Sequence, residues 1–303
     1  MRVQSVAIVG MGALGLMYGD HIQNAVGNDG VFFLMDSGRI ERYRNADYTV
    51  NGKKCIFSMV DCEKVQPVEL IIVATKYNGL RSAMEVMEKA VGKDTIIISV
   101  LNGISSEKIL AEKYDENRII PCVALGMDAM REGYTLNYTK KGRLCIGAVK
   151  EEQKPALQAV AEYFTAIGLP HSVESDIMHT MWCKLFLNVG INQTCMVYET
   201  TYQGALTDPE ASKDLYGAMR EVMAIAQAEG VYLTEEDFQY YTNILRTLKP
   251  DGYPSMRQDA LAGRKSEVDM FAGTVIEIAK KHGISVPVNE KYYRIVQEME
   301  SKY

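Results

Sequence analysis

The 303-residue chain lacks the marks of several protein classes. It has no run of basic residues, and 33 Lys plus Arg stand against 39 Asp plus Glu, a formal net charge of −6. Nucleic acids and anionic membrane surfaces are bound through clustered Lys and Arg that displace counterions, so neither is an expected partner. The six cysteines, Cys55, Cys62, Cys122, Cys145, Cys183 and Cys195, form no CxxC pair and no Cys/His cluster at zinc spacing. Dispersed thiols in so long a chain read as buried and reduced, and no metal site is expected. No apolar run approaches the roughly 18 residues of a membrane span. The opening MRVQSVAIVGMG lacks the form of a cleavable signal segment. These absences lead us to expect a cytoplasmic protein, in which the sequons at Asn137 and Asn192 carry no meaning. There is no internal repeat and no low-complexity linker.

What is present fits two globular domains. The length suggests two rather than one, and 47% hydrophobic with 24% charged residues is ordinary globular composition. In the first 170 residues, short β-branched runs alternate with amphipathic stretches, the signature of βαβ units on a parallel sheet. The predicted strands are Ser5 to Gly10, Val31 to Met35, Leu70 to Thr75, Thr95 to Leu101 and Ile119 to Leu125. Helices are predicted over Ala13 to Ala25, Leu80 to Val91, Ser105 to Tyr114 and Glu151 to Ile167, the last stopped by Gly168 and Pro170. YTLNYT and GRLCIGAV, separated by KKG, predict an antiparallel hairpin. Beyond Ser175 the pattern is helical: Asp176 to Val197, Pro209 to Glu229, Glu235 to Leu248, Ser255 to His282 and Asn289 to Lys302. The expected fold is α/β, a Rossmann-type doubly wound, mostly parallel sheet over residues 1–172, followed by an all-helical domain over 173–303.

GMGALG, from Gly10 through Met11, Gly12, Ala13 and Leu14 to Gly15, lies where the first strand turns into the first helix. Gly10 permits the tight turn, Gly12 lets a pyrophosphate approach the backbone, and Gly15 lets the helix pack on its strand. The helix amino end offers unpaired N–H groups and positive partial charge. A nicotinamide dinucleotide is the favoured ligand, although a flavin could use the same turn. Asp36, 21 residues after Gly15, ends the second strand, where a carboxylate can accept ribose hydroxyls and repel a 2′-phosphate, favouring NADH. Arg39 would favour the phosphate if its loop folded over the ribose.

In an open parallel sheet the ligand crevice lies beyond the carboxyl ends of the strands. Lys76 and Asn102 follow strands directly, Lys76 suited to the adenosine side of the cofactor and Asn102 to the nicotinamide ribose or substrate. In the helical half, Lys184, Asn188 and Asn192 fall at i, i+4 and i+8 of an otherwise apolar helix. An unpaired buried ammonium or amide is costly. The stripe therefore either faces a substrate or forms an interhelical ladder. As a substrate face, Lys184 could protonate a ketone that receives hydride while the amides hold a 2-oxo acid. Farther on, Ser255 and Gln258 have capping-box spacing, which makes Ser255 a predicted N-cap. Asp259, Gly263 and Glu267 are predicted to share one helical face, with Glu267 pairing with Lys184, binding a cofactor hydroxyl or simply facing solvent.

Together, GMGALG, Lys76, the LNG of Asn102, Lys184-xxx-Asn188-xxx-Asn192 and the segment Ser255 to Asp269 resemble the ketopantoate reductase (2-dehydropantoate 2-reductase) family along essentially the whole chain. The resemblance implies NADPH-dependent reduction of 2-dehydropantoate to (R)-pantoate, on the route to pantothenate. It implies that Lys184 is the proton donor, that Asn188 and Asn192 bind substrate, and that Ser255 meets the substrate carboxylate. Asn102 and Glu267 would contact cofactor or assist catalysis. Two positions depart from the family pattern: Asp36 stands where NADPH-dedicated members carry Arg, and Tyr202 where they carry a further substrate Asn. Both lean towards an NAD-dependent D-2-hydroxyacid dehydrogenase of the same family. The competing class is a non-catalytic dinucleotide-binding regulator. The expected partners are a small 2-oxo acid and, at most, a second copy of the chain.

Overall fold

A computed structural model describes residues 2–303. The chain divides into two compact units, residues up to 102 with 106–177, and residues 103–105 with 178–303.

The first unit begins β1 (Val6–Val9), α1 (Ala13–Val26), β2 (Val31–Met35), α2 (Ser37–Tyr43), β3 (Tyr48–Val50), β4 (Lys53–Cys55), β5 (Met59–Asp61), β6 (Val68–Val73), α3 (Leu80–Val86), β7 (Val91–Ser99) and α4 (Ser106–Ala111). It continues β8 (Ile119–Ile120), β9 (Cys122–Met127), β10 (Met130–Glu132), β11 (Thr135–Asn137), β12 (Lys141–Ile146), α5 (Lys154–Ala166) and β13 (His171–Val173). Its main sheet runs β5-β2-β1-β6-β7-β8, parallel throughout. Period-2 alternation splits these strands between two cores. Val6, Ile8, Leu70, Ile72, Ile96 and Ile98 pack with residues of α1 and α5. Ala7, Val9, Ile71, Val73 and Ile97 pack with Leu80, Ala83, Met84 and Leu110 of α3 and α4. Helices therefore cover both faces, and the winding reverses between β1 and β6, which is where such a sheet opens its ligand crevice.

Two smaller sheets, β10-β11-β3-β4 and β13-β12-β9, complete the unit. The hairpin expected across KKG does not form, because its two strands belong to different sheets. The chain instead reverses at Gly133 and Tyr134, between the paired residues Glu132 and Thr135, with Gly133 at φ +56° as a two-residue turn demands. β9 and β12 continue that ribbon antiparallel, Lys141 facing Met127 and Ile146 facing Cys122. At the crossing, the Asp128 carboxylate accepts the N–H groups of Thr139 and Lys140 at 2.8 and 2.7 Å, which occupies the residues expected to turn.

The second unit is built on α6 (Ile177–Val197), followed by α7 (Tyr202–Thr207), α8 (Pro209–Ala228), α9 (Glu235–Arg246), α10 (Ser255–Leu261), α11 (Thr274–His282) and α12 (Pro287–Glu300). Its core gathers Trp182, Phe186, Met219, Phe271 and Tyr292. The single helix expected over Ser255 to His282 is broken. α10 stops at Leu261, Gly263 takes φ +60°, and a π-helical turn over Asp269–Gly273 leads into α11. Tertiary partners stabilise the break: buried Ser266 donates both N–H and hydroxyl to Glu300, at 2.7 and 2.5 Å, and Ala272 N–H donates to Gln193 Oε1 at 3.0 Å. No helix among the described residues is long and apolar enough to cross a membrane.

Candidate functional site

In the first unit, GMGALG forms the turn from β1 into α1, at the point where the winding reverses. A Cβ on Gly10 (φ +112°) would lie 2.6 Å from the Ala74 carbonyl, and one on Gly15 would lie 2.0 Å from the Gly10 carbonyl. Both distances are shorter than a Cβ and a carbonyl oxygen tolerate, so strand, turn and helix close on one another only with glycine. Gly12 is the N-cap and lends no side chain to the helix end. The first-turn N–H groups, which no helix satisfies internally, stay available to an anion. The turn fits the pyrophosphate of a dinucleotide.

Asp36 has a role the sequence reading did not foresee. It caps α2, Oδ1 accepting Arg39 N–H at 2.8 Å, and its other oxygen lies 3.4 Å from Arg39 Nε. The loop SGR is thus the first turn of a helix, and Arg39 is engaged with Asp36. Lys76 is exposed, just before the 3-10 turn Tyr77–Gly79. Beside it the buried Thr75 hydroxyl has no hydrogen-bond partner, a polar atom at the end of β6 that sequence reasoning passed over. Asn102 is half-buried, three residues past β7.

In the second unit, α6 carries Lys184 and Asn188, both half-buried, and Asn192, 7% exposed. The neighbouring Gln193 is fully buried and satisfied: Nε2 donates to the Val189 carbonyl at 2.9 Å and to Asn289 Oδ1 at 3.2 Å, and Oε1 accepts from Ala272. Thr194 Oγ1 and Tyr292 hydroxyl are 2.6 Å apart. An interhelical ladder exists on this helix, but Gln193 and Thr194 form it. The side-chain amides of Asn188 and Asn192 have no hydrogen-bond partner among the described residues. A carboxamide in apolar company without a partner is a site for one.

Two expectations for the later segment fail. Ser255 is the first residue inside α10, Pro254 is the N-cap, and Gln258 Nε2 donates to the Tyr253 carbonyl at 3.1 Å instead of closing a capping box. The exposed Ser255 hydroxyl is not a cap. Asp259, Gly263 and Glu267 do not share a helical face, because α10 ends before Gly263; Asp259 instead accepts from Arg264 Nε at 2.9 Å. Glu267 is half-buried, and its carbonyl accepts from Met270 and Phe271 where the π-helical turn begins. Tyr202, at the start of α7, has its phenol pushed up to about 12, by burial first and by Cys195 second.

The sequence also concealed a cluster in this unit. His179 and Cys183, one turn apart on α6, meet Asp237 of α9, with their potential ligand atoms within 4.8 Å of one another. His179 Nε2 is 3.1 Å from Asp237 Oδ2, and the Cys183 sulfur lies 3.7 and 3.8 Å from the two ring nitrogens. Asp237 Oδ2 also accepts the Thr234 N–H and hydroxyl at 2.7 and 2.8 Å. Burial works to raise the Asp237 carboxyl, but the Thr234 donors and His179 together hold it low. These bonds give the cluster a structural role at the start of α9.

Residues 6–151 match the family model described as ketopantoate reductase PanE/ApbA, and residues 176–300 match its C-terminal counterpart. A 2-dehydropantoate 2-reductase of Streptococcus pyogenes is 25% identical over 299 residues, covering 97% of this chain and 96% of that one. One from Pyrococcus horikoshii is 26% identical over 302 residues, covering 98% and 97%. Among solved structures, a PanE/ApbA family ketopantoate reductase from Ralstonia eutropha superposes with a TM-score of 0.84 at 24% identity, over 98% of this chain and 99% of that one. A D-mandelate dehydrogenase superposes at 0.88 with 21% identity over the same shares, a likeness of fold.

Proposed function

Because the chain belongs to the ketopantoate reductase family and is an NAD(P)-dependent reductase, we propose that it reduces the ketone of a small branched 2-oxo acid, with 2-dehydropantoate to (R)-pantoate as the leading reaction. The observation that carries this reading is the pair of amides without a hydrogen-bond partner among the described residues, Asn188 and Asn192, aligned with Lys184 on a helix whose buried Gln193 and Thr194 are hydrogen-bonded. In this reading residues 1–172 hold the dinucleotide, which when bound supplies the hydride, and residues 173–303 supply the substrate grip. Gly10 through Gly15 receive the pyrophosphate, Asp36 and Lys76 the adenosine side, and Asn102 the nicotinamide side. Lys184 delivers a proton from Nζ to the ketone oxygen. Asn188, Asn192 and the Ser255 hydroxyl hold the oxygens of the 2-oxo acid, and Glu267 orients Lys184 or a ribose hydroxyl.

The test is oxidation of NADH and of NADPH with 2-dehydropantoate and a panel of branched 2-oxo acids. If folded protein turns over none of them with either cofactor, the reading fails; tight dinucleotide binding without turnover would support a regulatory protein instead. Two observations favour a second reading, an NAD-dependent D-2-hydroxyacid dehydrogenase acting on another 2-oxo acid. Asp36 is a carboxylate at the end of β2, and Arg39 is drawn to it, Nε 3.4 Å from Oδ2, rather than held out for a phosphate. Tyr202 presents a half-buried phenol where the family carries an amide. Preference for NADH together with a better substrate than 2-dehydropantoate would select it. Both readings suit a cytoplasmic enzyme, as a monomer or a homodimer.

A further inference from the structure

Arg131, on β10 of the four-stranded sheet, brings its guanidinium to the turn that follows β1. Nη1 donates to the carbonyl of Met11, the middle residue of GMG, and Nε donates to the Gly133 carbonyl at 2.8 Å. The side chain is half-buried, yet Nη2 has no acceptor and the group has no carboxylate partner among the described residues. Other arginines of this unit are differently placed: Arg39 pairs with Asp36, Arg81 with Glu112 and Arg118 with Asp94. Tyr48, on β3 of the same sheet, fixes the position from beneath, its hydroxyl 3.7 Å from Met11 Sδ and its ring edge-on to Tyr134 at 5.3 Å. Burial pushes the Tyr48 phenol up to about 12 while the Arg131 charge opposes it, which places that cation beside the turn.

A half-buried guanidinium held only by carbonyls keeps donors and charge uncompensated, and an anion at the turn satisfies both. Arg39 lies 3.4 Å from the Asp36 carboxylate, whereas the Arg131 guanidinium meets only carbonyls among the described residues. We propose that Arg131 is a cofactor-binding residue that donates to a phosphate of the dinucleotide, either the pyrophosphate or a 2′-phosphate. The proposal rests on GMGALG being the dinucleotide turn.

The experiment is fluorescence titration of NADH and of NADPH into the wild-type protein, Arg131→Gln and Arg131→Lys, at several salt concentrations, with melting temperatures recorded for each. Arg131→Gln is expected to weaken at least one cofactor about tenfold, with Arg131→Lys recovering part of the loss. The dependence of Kd on salt should become shallower as the charge is removed. Equal losses for both cofactors assign the pyrophosphate; a larger loss for NADPH assigns the 2′-phosphate. Unchanged affinity for both, or a loss accompanied by a lower melting temperature and an unchanged salt dependence, overturns the role of Arg131. A wild-type protein that binds neither cofactor would overturn the reading of GMGALG itself, and this proposal with it.

Discussion

Asn192 and Gln193 stand side by side on α6, carry the same functional group into the same apolar unit, and meet opposite fates. Gln193 bonds to three partners from α6, α12 and the π-helical turn, so its amide is part of the architecture. Asn192 is almost as deeply buried, and its side-chain amide has no hydrogen-bond partner among the described residues. Burial of a polar group therefore does not by itself mark function. The mark is an amide left without an internal partner, and the one-residue offset turns the two amides to different faces of the helix.

The largest expected effect falls on the face that Asn192 shares with Lys184. Lys184→Ala should lower kcat by about 10² or more if its ammonium is the proton donor. Steady-state kinetics at saturating cofactor measures this, and a change of only a few-fold would return Lys184 to the packing. Gln193→Leu should do the reverse, costing about 2–4 kcal/mol of stability because buried Ala272 N–H and Asn289 lose their partners. Urea denaturation measures that loss, and a variant as stable as wild type would show that the ladder carries no weight. Asn192→Leu has a smaller effect and a different readout. Nothing internal is lost, so stability should hold within about 1 kcal/mol, while KM for the 2-oxo acid rises about tenfold. Matching stability losses at Asn192 and Gln193 would dissolve the distinction between them.

The sequence made one side of this contrast legible and hid the other. The stripe at i, i+4 and i+8 is visible because helical spacing alone determines a shared face. That Gln193 and Thr194 are ladder residues depends on Asn289, Ala272 and Tyr292, which arrive from 79 to 98 residues away. The same distinction runs through the fold. β2 matches its predicted span, Val31 to Met35, because its signal is local and apolar. The break after Leu261 has no local signal, because residues 262–268 look helical by composition and the acceptors Glu300 and Gln193 that stabilise the departure are distant in sequence. KKG reads as a turn by composition, whereas the reversal falls at Gly133, in a polar stretch with no stronger local signal. The proximity of Arg131 to Met11, 120 residues apart, has no local signal.

The first unit offers a graded version of the same comparison in Glu107, at the start of α4. Its carboxyl is buried and accepts from the Ser106 hydroxyl at 2.9 Å, with no cation paired to it among the described residues. Burial pushes it up to about 7, against the opposing pull of its own N–H, of Ser106 and of the Cys122 backbone. The folded chain thus holds a proton that the unfolded chain releases near 4.5, so this group's stabilising contribution is complete below that pH and is lost as pH rises through 7. Glu107→Gln keeps the shape and removes the titration. Its melting temperature should match wild type near pH 4.5 and exceed it by a few degrees at pH 8, with the gap opening between these values. Melting curves that stay parallel across the range would mean that Glu107 is ionised in the folded protein. The carboxylate would then be as well satisfied as Gln193, and partial satisfaction would leave no thermodynamic trace at this position.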